Sequence, residues 1–130
     1  MSTHTRADVT REGSRATVTF HTESGIHVLS IDFLKELDHV VDELAACRDA
    51  RFVVFRAEGK VFLAGANIKA MAEFDEGQAR TMAELGHRVF DKIEALPQLT
   101  LAAVHGVCLG GGCEMAMACD LRFAVKSIDI

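Results

Sequence analysis

The spacing of hydrophobic residues changes several times along the first half of the chain. Alternation over 15–20, RATVTF, predicts a half-buried strand, and a short extended segment, IHVLS, follows a turn at Gly25. From Ser30 onward the apolar residues fall at helical spacing, which predicts an amphipathic helix that has Ser30 as its N-cap and ends near Cys47. The β-branched and aromatic run RFVVFRA at 51–57 then predicts a buried parallel strand.

The second half continues the alternation of strands and helices. In chain order we predict a short helix over Ile68–Met71, a long helix over 76–96 that stops before Pro97, a strand over 99–104, a helix from about Gly112 to Cys119 and a strand over 121–125. Residues 1–13 are polar and are expected to be flexible. The pattern indicates an α/β fold with a mostly parallel sheet, in a single domain over residues 1–130.

Composition narrows the classes of partner. The chain has 130 residues, of which 49% are hydrophobic, enough for one domain with a core. Its 14 Lys and Arg residues face 19 Asp and Glu residues without any basic run, which argues against a nucleic-acid partner. No apolar stretch approaches the roughly 20 residues that span a bilayer, so no membrane partner is expected either.

The four cysteines, Cys47, Cys108, Cys113 and Cys119, lack the paired CxxC spacing of a structural zinc site. We therefore expect no metal. The N-terminal sequence has no apolar signal core, and unpaired cysteines suit a reducing compartment. The expected location is the cytoplasm.

Two small-residue turns interrupt the chain where a strand leads into a helix. Glycines at 110, 111 and 112, and the run Ala64, Gly65, Ala66, leave backbone N–H groups uncovered. Two such donors that face one point form an oxyanion hole, in which a single donor is typically worth about 3 kcal/mol. Glu114 follows Gly111 by about one helical turn and is placed for proton transfer. The alternative is structural: the glycines permit close packing of a helix on a strand, and a glutamate in a first turn stabilises that helix.

The segments VFLAGANIKAM and LTLAAVHGVCLGGGCEMAMACDLRFA resemble the crotonase superfamily. They are most similar to its enoyl-CoA hydratases, whose pattern is close to F-A-A-G-A-D-I-K-E-M followed by A-A-V-N-G-x-A-L-G-G-G-C-E-L-A-x-x-C-D. Weaker similarity extends back to about Val9. The resemblance implies a crotonase-like ββα superhelix with a mostly parallel sheet, of which this chain corresponds to the N-terminal half.

The resemblance also implies a site and a reaction. The backbone N–H groups of Ala66 and Gly111 would form the oxyanion hole for an acyl-CoA thioester, and Glu114 would be one of two catalytic glutamates. The implied reaction is the addition of water to a 2-trans-enoyl-CoA, without a metal or another cofactor, in a homotrimer or a dimer of trimers when full length. The substrate-binding residues would be Ala64, Gly65, Ala66, Asn67, Ile68, Gly110 and Gly111.

The chain departs from the family pattern at three points. Asn67 stands where the family usually has Asp, and His27 and Val28 replace the usual Asn-Ala near the CoA site. The segment that carries the family's second glutamate is not among residues 1–130. We therefore expect the isolated 130-residue chain to hydrate crotonyl-CoA poorly or not at all. Alternative activities are an isomerase, an acyl-CoA hydrolase, a dehalogenase or an inactive acyl-CoA-binding fragment. Glu114 favours a hydratase, since isomerases commonly have an apolar residue at that position. His87 and His105 are expected to be polar surface or turn residues.

Overall fold

A computed structural model describes residues 5–126 of the chain. The elements in chain order are β1 (Arg6–Glu12), β2 (Arg15–His21), α1 (Ile31–Ala46), β3 (Phe52–Ala57), β4 (Val61–Leu63), α2 (Ile68–Ala72), α3 (Glu76–Glu94), β5 (Leu99–Val104), β6 (Val107–Cys108), α4 (Gly111–Ala118) and β7 (Leu121–Ala124). From β2 to α4, one or two strands are followed each time by one or two helices, which confirms the predicted α/β class.

Two sheets organise the described residues. The larger has the order β1-β2-β3-β5-β7, in which only the β1–β2 pair is antiparallel. The smaller is the parallel pair β4–β6. Alternate residues of the central strands, such as Val18, Phe20, Val53 and Phe55, are fully buried because side chains of a strand point to its two faces in turn.

Phe20 lies at the centre of the core. Its ring centroid is 5.3 Å from that of Phe33 on α1, 6.4 Å from that of Phe55 on β3 and 5.7 Å from that of Phe62 on β4. Aromatic pairs at these separations add to the free energy gained from burial alone. The larger sheet, α1 and the β4–β6 pair therefore share one core, which fixes where β4 and β6 end.

Polar side chains bind backbone groups at both ends of α1. Ser30 Oγ accepts a 3.0 Å hydrogen bond from Phe33 N, so it caps α1 as predicted. At the other end of α1, the buried Gln98 donates from Nε2 to the carbonyl oxygens of Leu44 and Cys47. These bonds satisfy carbonyl groups that a helix end leaves without intrahelical partners.

The structure differs from the expectations based on the sequence at several points. Arg6–Glu12 was expected to be flexible but forms β1, which pairs with β2 through backbone bonds that need no apolar side chains; residues 1–4 lie outside the described part. The segment IHVLS contributes only an isolated bridge between Leu29 and Ala66. The two-residue strand β6 was not predicted, since it is too short to show a period.

Strand β7 lies at an edge of the larger sheet and is exposed on both faces. Leu121 is 43% exposed and Phe123 is 60% exposed. Parallel strands are usually covered on both faces, so β7 presents an uncovered apolar surface. Among residues 5–126, no helix combines the length and the apolar character needed to cross a membrane.

Candidate active site

The two small-residue turns meet at one edge of the β4–β6 pair. Because β4 and β6 are parallel, their carboxyl ends lie side by side, and Leu109 N donates to the Leu63 carbonyl at 3.1 Å. Gly65 has φ +90°, a conformation that side chains rarely adopt. A Cβ built on Gly65 would lie 2.9 Å from the Leu109 carbonyl oxygen and 3.5 Å from the amide nitrogen of Gly111. The first turn is thus packed directly against the start of α4.

The backbone N–H groups of Ala66 and Gly111 have no acceptor among residues 5–126. Leu29 N donates to the Gly65 carbonyl at 2.8 Å, and Gly112 N donates to the Leu109 carbonyl at 2.8 Å. Gly111 is the first residue of α4, where the N–H groups of a helix lack intrahelical partners. Each of the two adjacent turns therefore carries an amide that is free to donate a hydrogen bond, the type of donor used in oxyanion holes.

Glu114 lies in the first turn of α4, and its side chain is exposed. It lines an open cleft of about 450 Å³ between α4 and the second half of α3. Within the described residues its carboxylate forms no hydrogen bond or ion pair. The other cleft residues are His87, Phe90, Asp91, Glu94, Met117 and Ala118. A carboxylate without a protein partner is free to accept or donate a proton.

A second groove, of about 300 Å³, lies between the segment before α1 and helix α2. Its walls are mainly apolar and include Val28, Leu29, Met71 and Phe74. Asn67 also lines it and caps α2, because its Oδ1 accepts from Ala70 N at 3.2 Å. The amide of Asn67 thus serves the capping role open to the usual aspartate.

The structure brings together most of the predicted site residues. Gly65, Ala66, Gly110 and Gly111 belong to the two packed turns, and Ala64 N donates to the His27 carbonyl at 2.8 Å. Ile68 is different: it is 81% exposed and does not line the groove.

Three features of the site were not predicted from the sequence. His27, treated there only as a departure near the CoA site, is fully buried. His87, expected to be a polar surface residue, shares the cleft with Glu114. The groove side chains Met71, Phe74 and Met82 come from α2, the α2–α3 connection and α3, and their sequence does not show that they line one groove. The described residues contain no group of three or more His, Cys, Asp or Glu side chains that could hold a metal ion.

The family model and the two relatives described below agree on the family that this chain resembles. The model of the family described as enoyl-CoA hydratase/isomerase matches residues 10–128. The chain is 40% identical over 115 residues to the short-chain-enoyl-CoA hydratase of Clostridium acetobutylicum, covering 88% of this chain and 44% of that protein. It is 34% identical over 118 residues to the crotonyl-CoA hydratase of Syntrophomonas wolfei, covering 90% of this chain and 45% of that protein.

Solved structures show the same likeness in three dimensions. The crystal structure of an enoyl-CoA hydratase/carnithine racemase from Magnetospirillum magneticum superimposes with a TM-score of 0.87 at 31% identity, over 94% of this chain and 47% of that one. The chain therefore has the crotonase fold over its matched length and spans about half the length of the relatives it matches. The resemblance inferred from the motifs is confirmed, and the chain belongs to the enoyl-CoA hydratase/isomerase family.

Proposed function

We propose that this chain provides the oxyanion hole and one acid–base carboxylate of an enoyl-CoA hydratase. The observation that carries the proposal is the pair of unpartnered amides at Ala66 and Gly111, on two turns packed against each other. Both donors would bind the thioester oxygen of a 2-trans-enoyl-CoA. The family name and the names of relatives such as the crotonyl-CoA hydratase support this assignment.

In the proposed reaction, the oxygen of a water molecule bonds to the β-carbon of the enoyl group while one of its O–H bonds breaks and the proton passes to a carboxylate base. The π electrons move toward the thioester carbonyl. The resulting enolate places negative charge on the thioester oxygen, where the Ala66 and Gly111 amides stabilise it. A proton then bonds to the α-carbon. Glu114 acts in this proton transfer, as the base toward water or as the acid toward the α-carbon. No cofactor is needed, since CoA is part of the substrate.

The remaining turn residues would hold the acyl-CoA. Gly65 and Gly110 let the backbone approach the thioester closely because they carry no side chain. The apolar groove beside Asn67 has a lining suited to an acyl chain or to the pantetheine arm. Ala64 and Ile68 complete the proposed set, and the side chain of Ile68 is exposed.

We also propose an oligomeric state, a cellular location and a domain organisation for the protein. The uncovered apolar residues of β7 and Met117, which is 63% exposed, support assembly into a homotrimer or a dimer of trimers when full length. Four free cysteines support a cytoplasmic location. We propose one crotonase-like domain over residues 1–130.

The test uses crotonyl-CoA and two matched substitutions from one cleft, made in the full-length protein. Glu114→Gln should lower the hydration rate by at least about tenfold, equivalent to about 1.4 kcal/mol, whereas Glu94→Gln should change it less than about twofold. The rate is measured from the loss of the enoyl thioester absorbance. An equal effect of both substitutions, or a smaller effect of Glu114→Gln, contradicts the role of Glu114.

A second assay examines the oxyanion hole without turnover. A β-ketoacyl-CoA forms an enolate that resembles the charge of the proposed intermediate, and it should bind more tightly than the saturated acyl-CoA of the same length. Calorimetry gives both affinities. Binding of acyl-CoA without hydration and without this preference favours the inactive acyl-CoA-binding alternative.

A further inference from the structure

Three histidines converge on the turn that joins β3 to β4. His27 Nε2 lies 2.6 Å from the Glu58 carbonyl oxygen, and His105 Nε2 lies 2.5 Å from the Gly59 carbonyl oxygen. His21 Nδ1 lies 2.7 Å from Oε2 of Glu58. The three imidazoles come from β2, the segment before α1 and the β5–β6 connection, so one turn is bound from three sides.

His27 differs from the other two histidines because it is fully buried. A carbonyl oxygen only accepts hydrogen bonds, so the Nε2 atom of His27 must carry the proton that is donated to Glu58. The Nδ1 atom is then a bare acceptor, and it has no partner among the described residues. Protonation would turn Nδ1 into a buried donor without an acceptor, which is costly. Burial of a ring whose Nδ1 has no partner therefore favours the neutral form, in which Nε2 donates to the Glu58 carbonyl.

The backbone of this histidine leads directly to the oxyanion donor. The His27 carbonyl accepts from Ala64 N at 2.8 Å, and two residues later Leu29 N donates to the Gly65 carbonyl at 2.8 Å. The peptide bond between Gly65 and Ala66 is planar and trans, so the Ala66 N–H points opposite to the Gly65 C=O. By holding that carbonyl, Leu29 sets the direction of the Ala66 N–H.

We propose that His27 is a positioning residue for the oxyanion hole: its imidazole anchors residues 27–29 to the Glu58 carbonyl, and those residues orient the Ala66 amide. The catalytic consequence rests on the proposed hydratase function, whereas the structural linkage does not. The anchor lies where the first turn, the end of β3 and the segment before α1 come together.

The groups around His27 make the anchor sensitive to acid. Burial is the main cause that lowers the pKa of His27 below 6.5; the bond to the Glu58 carbonyl and the Glu58 carboxylate oppose it, while His21 and His105 lower it further. When residues 27–29 detach, the ring regains an ordinary pKa near 6.5 and takes up a proton more readily. The attached state is thus favoured fully above that pH and progressively less as the pH falls below it.

Amide hydrogen exchange tests the linkage without any need for activity. The reporters are the Leu29 and Ala64 amides, with Val54 in β3 as an internal reference, and the rates are corrected for intrinsic exchange. His27→Leu removes the donor, and protection at both reporters should fall at least about tenfold while Val54 is unchanged. His27→Gln keeps a donor at the position of Nε2 and should restore protection to within about threefold.

A pH comparison separates positioning from general stability. In the native chain, protection of Leu29 and Ala64 should fall between about pH 7.5 and about pH 5, and in His27→Gln, which does not titrate, it should stay constant. The control His39→Gln alters an exposed histidine on α1 and should behave as the native chain. If His27→Leu does not fold, the comparison of native chain and His27→Gln still decides.

Two results overturn the proposal. One is equal pH dependence of the reporter amides in the native chain and in His27→Gln. The other is a long-range ¹H–¹⁵N spectrum that shows the neutral His27 ring protonated on Nδ1, since Nε2 then has no proton to donate. Neither result depends on hydration of crotonyl-CoA, so failure of the linkage and failure of the proposed function are distinguishable.

Discussion

Leu29 occupies the space that a side chain on Gly111 would need: a Cβ built there would lie 2.5 Å from Cδ1 of Leu29. Leu29 is only 5% exposed and also binds the Gly65 carbonyl through its amide. One residue therefore orients the first proposed oxyanion donor and requires glycine at the second. Any substitution at Gly111 must move either the Leu29 side chain or the start of α4.

Gly111→Ala should lower crotonyl-CoA hydration by about tenfold or more, because a shift of α4 by a fraction of an ångström misaligns its donor. The free energy of unfolding should fall by only about 1 kcal/mol, since the atom in the way is the end of a flexible side chain. Rates and urea denaturation measure the two effects.

A second substitution tests the contact itself. Leu29→Val removes Cδ1, so the double variant Gly111→Ala/Leu29→Val should hydrate faster than Gly111→Ala alone. Additive losses in the double variant would contradict a steric coupling between the two residues.

Gly112 lies against backbone atoms, which cannot move aside as the Leu29 side chain can. A Cβ there would overlap the Leu63 carbonyl oxygen and lie 2.7 Å from its carbon, and this backbone is fixed within β4. Gly112→Ala should therefore destabilise the fold by about 3 kcal/mol. Gly86→Ala in α3 is the matched control, because its nearest atom is Leu34 Cδ1 at 3.9 Å, and it should raise stability by up to about 1 kcal/mol through helix propensity. Thermal unfolding monitored by circular dichroism compares the two, and equal shifts would rule out the close approach of α4 to β4.

The close packing of the two turns was predictable because it requires glycine at particular positions of the sequence. Gly65 takes a positive φ and both glycine runs lie against backbone, and such positions exclude most side chains. The capping role of Ser30 was predictable for a similar reason, since it depends on a contact three residues away. Local requirements of this kind restrict the residue types at a position, so they can be inferred from the sequence.

The position of His27 was not predictable in the same way. Its partner is a backbone carbonyl 31 residues away, and every residue has such a carbonyl whatever its side chain. The cleft around Glu114 is a similar case, because His87 reaches it only through the packing of α3 against α4. Contacts set by the packing of distant elements have no period or motif to reveal them.

The four cysteines should separate into two reactivity classes. Burial raises the pKa of the Cys108 thiol to about 11 and that of the Cys119 thiol to about 12, so almost no thiolate is present at either near pH 8. Cys47 and Cys113 are partly exposed. Iodoacetamide should alkylate these two at least about tenfold faster in the folded protein, since the thiolate is the nucleophile. Mass spectrometry of peptides gives the site rates, and in denaturant all four should react alike.

Asp38 links α1 to α3 and should make stability depend on acid pH. Its carboxylate is 18% exposed and lies 2.8 Å from Lys92 Nζ and 3.0 Å from Arg88 Nη2. Partial burial alone would raise the pKa of Asp38, but hydrogen bonds from the two cations outweigh it and hold that pKa below 3.8. The stabilisation is therefore fully present at pH values well above 3.8 and is lost as the pH falls through the folded-state pKa.

Asp38→Asn should consequently lower the free energy of unfolding by about 1 kcal/mol near neutral pH, a small value because the cationic partners are partly exposed to screening solvent. The difference from the native chain should shrink toward zero as the pH falls well below 3.8, where the native carboxyl is protonated as well. Urea denaturation at a series of pH values measures it. Asp49→Asn is the control, since Asp49 is exposed and has no ion pair within residues 5–126. If the difference in the free energy of unfolding between the native chain and Asp38→Asn stays constant with pH, the substitution acts through packing and not through the charge of Asp38.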